Sequence, residues 1–123
     1  MPGRLGLGAL FAAALTSGAW AQGATAFDGQ YMGELTLDRV VNGDCTTPPL
    51  AAVYPLTIAG GVVSFAYVPR FATTLTGRID AKGAFKAAAR VRGGAIRMSG
   101  QVRGDAVTAT ITSPSCDYTF RSR

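Results

Sequence analysis

The chain has 123 residues, with 12 Lys and Arg against 7 Asp and Glu, no histidine and two cysteines. That length builds one domain around one core. The lack of histidine removes the commonest general base and, with only two cysteines, leaves a tetrahedral metal site short of nitrogen and sulfur ligands, so neither a catalytic triad, a metal nor another cofactor is expected.

Residues 1–21 read as a secretory signal peptide: MPGR gives a basic start, LGLGALFAAAL an apolar run, and AWA a small-x-small cleavage site before Gln22. The run is shorter than the ~20 apolar residues that a bilayer-spanning helix needs. The expectation is therefore a periplasmic or secreted protein that does not span a membrane. Residues 22–27 are expected to form a flexible mature N-terminus, and 28–123 a single β domain. Without Arg4, which lies in the leader, the 12 basic side chains become 11 against 7 acidic ones.

From residue 28 onward the apolar period is 2, and no stretch carries helical spacing. Strands are predicted over 29–38, 52–58, 62–68, 73–79, 84–91, 95–102, 106–112 and 116–122. The separators AGG, DAKG, RGG, RGD and SPS are turn chemistry. The longest connection is 39–51, RVVNGDCTTPPLA, and the other irregular one is 69–72, PRFA.

One face of the alternation carries Tyr31, Leu35, Leu56, Ile58, Val63, Phe65, Tyr67, Leu75, Phe85, Met98, Ile111, Tyr118 and Phe120, and the other is rich in Thr, Arg and Lys. One face is buried and one is wet. Joined by short turns, such strands form an all-β, antiparallel up-and-down meander of about eight strands, which avoids exposed edges most simply by closing into a barrel. A β-sandwich satisfies the same alternation and is the alternative. A barrel spanning an outer membrane is disfavoured, because the strands are shorter than the roughly 9–11 residues needed and the basic side chains would crowd the lumen.

Two cysteines in an exported chain predict one disulfide, Cys45–Cys116. Strand parity puts both at the same end, where the bond clasps the seam between first and last strands. Inward glycines at 33, 77 and 100 each stand two residues before an inward aliphatic, Leu35, Ile79 and Val102. They read as places where a strand bends and a neighbour's large side chain fills the space.

Little in the chain points to chemistry. The carboxylates sit in turns or on the polar face, without the paired spacing of a glycosidase. The tripeptide RGD at 103–105 reads as a hairpin turn. The same parity gathers the connections 39–51, 69–72, 92–94 and 113–115 at the disulfide end and leaves tight turns at the other. A recognition surface is expected among the longer loops, with Arg39, Asp44, Tyr67, Arg70, Phe71 and Arg92 as its candidates. The wet face supplies a second feature: Arg78, Lys86, Arg90, Arg97 and Arg103 form a basic stretch suited to an anionic surface, with no signature of specific nucleic-acid binding.

Small exported barrels with one disulfide are similar in outline to bacterial lysozyme and protease inhibitors and to calycin-like ligand binders, a likeness of shape alone. The Ser-Gly-x-x-Tyr loop of lysozyme inhibitors is not matched, since SGQV at 99–102 has no tyrosine where one is needed. The expectation is a non-enzymatic exported binding module of the bacterial envelope, engaging a protein or glycan through the disulfide-end loops. The alternatives are a carrier holding a small apolar or anionic ligand inside the barrel, and a structural envelope protein using its basic outer face.

Overall fold

A computed structural model describes residues 23–67 and 73–123, so the leader assigned to 1–21 and the connection carrying Arg70 and Phe71 lie outside the described residues. The strands are β1 (Gly29–Val40), β2 (Tyr54–Ala59), β3 (Val62–Tyr67), β4 (Thr73–Ile79), β5 (Ala84–Val91), β6 (Gly94–Arg103), β7 (Ala106–Thr112) and β8 (Cys116–Ser122). Each pairs antiparallel with its neighbour in sequence, and β1 returns to β8, so the sheet is a closed barrel. The sandwich alternative is thereby excluded.

Period-2 patterning drives this closure. In β7 the residues AVTATIT alternate between exposed and buried along the whole strand, which fixes register, because a one-residue slip would turn every apolar side chain outward. Of the inward residues named from the alternation, Leu35, Leu56, Ile58, Val63, Phe65, Tyr67, Leu75, Phe85, Met98, Ile111, Tyr118 and Phe120 are all buried. Among the described residues no helix is long and apolar enough to cross a membrane.

Strand β1 departs from its predicted bounds. It was expected to end at residue 38, but Leu37 pairs with Tyr118 and Arg39 with Asp117, so Asp38 is an extra residue in a β-bulge. The bulge breaks the alternation, leaving Asp38, Arg39 and Val40 all exposed, although pairing continues to Val40↔Cys116. Arg39 thus belongs to a strand and not to the long connection. At the other boundary, β2 begins at Tyr54 rather than 52, just after Ala51 takes a left-handed φ of 68°.

The barrel interior is packed. Phe65, Phe120, Leu56, Leu75, Val63 and Ile111 have no accessible surface, and Phe65 and Phe120 meet edge to face at 5.2 Å. Burying each such side chain contributes about 1.5–3 kcal/mol. The inward glycines make room for this packing. A β-carbon at Gly33 would strike the Phe120 ring, and one at Gly100 would stand 2.5 Å from the Phe85 ring and 2.6 Å from the Ala109 β-carbon. At Gly77 the intruder would instead be the β5 backbone at Lys86, so this glycine serves a close approach of two strands.

The end away from the disulfide is shut. Where the composition points to a flexible lead-in, Gly23–Phe27 forms a 3-10 helix. Phe27 packs against the core, and its carbonyl accepts a 2.6 Å hydrogen bond from the Tyr31 hydroxyl. Asp28 caps the β2–β3 turn by accepting from the amides of Gly60 and Gly61 at 2.7 and 3.1 Å.

Candidate functional site: the mouth at the disulfide end

The opposite end is built from connections that cannot all be tight turns. After β1 the chain must return from Val40, beside Cys116, to Tyr54, beside Gly33. Thirteen residues, 41–53, make that journey. The Cys45–Cys116 disulfide ties this loop to the first residue of β8. The amides of Val41 and Asn42 extend the seam by donating to the Ser115 carbonyl at 2.7 and 3.1 Å. The disulfide therefore closes the barrel where the sequence placed it.

Further along the loop, the Tyr118 hydroxyl reaches out of the barrel and donates to the Thr46 carbonyl at 2.8 Å. This bond draws the loop over the rim. In the β7–β8 turn the Ser113 hydroxyl donates to the Cys116 carbonyl at 2.8 Å and accepts from the Cys116 amide at 3.0 Å. A side-chain turn of this kind fixes the direction in which the rim projects. Across the mouth, Gly93 adopts a φ of 88° and lets the two-residue β5–β6 turn present Arg92.

Together these parts bound an open pocket of about 370 Å³. Its floor is Tyr67, Tyr118, Ile96 and Cys116, and its rim includes Asp44, Thr46, Arg92 and Ser115. The volume falls within the range of small-ligand or single-side-chain sites. The two floor tyrosines meet edge to face at 5.8 Å. Burial pushes the Tyr67 hydroxyl up to about 12, helped by the neighbouring Tyr118, while its hydrogen bond with Ser113 works the other way. Tyr118 is also raised by burial, against hydrogen bonds with Tyr67 and the Thr46 carbonyl. Both phenols thus stay protonated, as neutral hydrogen-bonding groups, through the physiological range.

The rim is dipolar. Asp44 and Arg92 both line the pocket and do not pair with each other; the ion pairs of the described residues are Arg39–Asp117 at 3.3 Å and Arg123–Glu34 at 3.0 Å. An acceptor, a donor and aromatic faces therefore converge on one opening. Among the described residues no cluster of His, Cys, Asp or Glu offers a metal site.

The structure brings three of the six sequence candidates, Asp44, Tyr67 and Arg92, to this pocket. Arg39 is elsewhere, on the outer wall against Asp117. Arg70 and Phe71 lie outside the described residues, in the connection whose flanking residues, Tyr67 and Thr73, both line the mouth. Thr46, Ser113 and Ser115 were not singled out by sequence reasoning. Their signal is only positional, since each lies within three residues of a disulfide cysteine. Comparison of the chain with protein-family models, with curated proteins and with solved structures finds no match.

Proposed function

We propose that this protein is an exported, non-enzymatic binding module of the bacterial envelope that receives a polar or aromatic group of a partner protein or glycan in the mouth at the disulfide end. The observation that carries this reading is the convergence of Asp44, Tyr67, Tyr118 and Arg92 on one open pocket while the far end is shut by Phe27 and the 3-10 helix. An arginine and aromatic side chains around a pocket are typical anchors of recognition. The packed core, with Phe65, Phe120 and Leu75 fully buried, favours a ligand at the mouth over one carried in the barrel. Both cysteines are joined in the disulfide, so the opening offers no free thiol as a nucleophile, which suits holding a ligand rather than transforming it.

A photo-crosslinking amino acid placed at 92 tests this in cells, with the same residue at 105, at the shut end, as comparison. Capture of a defined envelope protein or glycan from 92 and not from 105 is expected. Equal capture from both positions, or from neither, contradicts the proposal.

A further inference from the structure

The outer wall holds a second feature that the mouth does not use. Three registers define it: Thr76↔Ala88 between β4 and β5, Ala88↔Arg97 between β5 and β6, and Arg97↔Thr112 between β6 and β7. A neighbouring row reads Arg78, Lys86, Ser99 and Thr110 across the same strands. Strands lie about 4.8 Å apart and alternate residues roughly 6.8 Å apart. Ala88 therefore stands between Lys86 and Arg90 along β5 and opposite Arg97 on β6. Long cationic side chains surround a floor of one methyl group, leaving a depression of about 480 Å³ edged by the hydroxyls of Thr76, Ser99, Thr110 and Thr112. A second depression, lined by Ala88, Arg90, Ala95 and Arg97, adjoins it.

Among the described residues, Arg78, Lys86, Arg90 and Arg97 on this wall form no ion pair. Arg78 and Lys86 face each other directly in the β4–β5 register, and like charges so placed repel. Strands β4, β5, β6 and β7 carry no acidic residue. Glu34, Asp38 and Asp117 lie on the β1–β8 wall, where Glu34 meets Arg123, Asp117 meets Arg39, and Asp38 accepts from Thr119, while Asp80 and Asp105 sit in the turns at the shut end of the basic wall. A surface kept only for solubility interleaves both signs.

We infer that the outer wall of β4–β7 is a binding face for an anionic glycan, its acidic groups resting on Lys86, Arg90 and Arg97 and its hydroxyls on the surrounding Ser and Thr. Charge complementarity and the interleaving of cations with hydroxyls favour this occupant. A lipid surface is less suited, because none of the exposed large hydrophobics Met32, Val40, Val41, Leu50, Val53 and Val62 lies on β4–β7, so the wall has no apolar wedge to insert. Single-stranded nucleic acid is less suited as well, because the wall offers no outward aromatic for base stacking.

Ala88→Glu places one carboxylate on the floor, where it would occupy all three cations, whereas Gln30→Glu on exposed β1 changes the net charge equally without touching the wall. Binding is measured with dextran sulfate, with neutral dextran, with phosphatidylglycerol vesicles and with a single-stranded oligonucleotide. Dextran sulfate is expected to bind with an affinity that falls steeply with salt, and Ala88→Glu is expected to weaken it about tenfold or more while Gln30→Glu changes it little. The triple variant K86Q/R90Q/R97Q gives the same loss by a second route, should the glutamate disturb folding. Equal loss in Ala88→Glu and Gln30→Glu, or tighter binding to vesicles or oligonucleotide than to the sulfated glycan, overturns the inference.

Discussion

Tyr67 stands where the apolar core gives way to the polar mouth, and its chemistry follows from that position. Burial raises its hydroxyl from 10.0 to about 12. The unfolded chain therefore releases this proton near pH 10, whereas the folded one keeps it to about 12. Below pH 10 the two states bind the proton alike, so stability is unaffected; between pH 10 and 12 the unfolded state holds fewer protons and stability falls. Absorbance titration of phenolate should show a late-ionising component that shrinks in Tyr67→Phe, the remainder belonging to Tyr118, together with a smaller alkaline loss of thermal stability in that variant. Gly100 tests the packing in the other direction. Gly100→Ala forces a methyl against Phe85 and Ala109 and is expected to destabilise the fold by about 1–3 kcal/mol. Phe85→Leu should recover part of that loss in a double-mutant cycle measured by urea denaturation.

At the scale of elements, the seam between β1 and β8 decides whether the barrel stays shut. Both strands are held by register from Gly33↔Ser122 to Val40↔Cys116, by the Ser115 carbonyl, and by the disulfide. The two cysteines are 71 residues apart, and loop-closure entropy for that span is worth roughly 4 kcal/mol. Cys45→Ser with Cys116→Ser should lower the unfolding free energy by about that amount, and an unchanged Tm would refute the clasp. Most of the strand pattern was legible because alternation is explicit in runs such as AVTATIT and CDYTFRS. The end of β1 was not, since the bulge at Asp38 puts consecutive polar residues outward and imitates a loop. The lower plug was missed for a related reason. Its residues GATAF carry no period, and Phe27 and Asp28 are fixed largely by tertiary contacts, with the core, with Tyr31 and with the distant amides of Gly60 and Gly61.

For the molecule as a whole, the topology separates structural features by place. An up-and-down meander sends alternate connections to opposite ends, and the Gly23–Phe27 helix then shuts one of the two. Parity made the end that carries the pocket readable, and with it the placement of Asp44, Tyr67 and Arg92 there. It could not reveal that Thr46 lies over the rim, because that placement depends on the Tyr118 hydroxyl reaching the loop carbonyl. The walls divide as well, with the ion pairs Arg39–Asp117 and Arg123–Glu34 beside β1 and β8 and unpaired cations on β5 and β6. On the proposed reading, the mouth would give the molecule a directional contact and the basic wall would orient that contact toward an anionic matrix.

The most direct test of the central claim is native mass spectrometry of the protein, purified gently from the cells that make it, beside Arg92→Glu prepared identically. The account predicts that wild type carries a protein or glycan partner and that Arg92→Glu, equally folded, has lost it. A partner retained in full by Arg92→Glu, or a bound small molecule released only when the buried core is altered, would contradict the assignment of the mouth as the site of recognition.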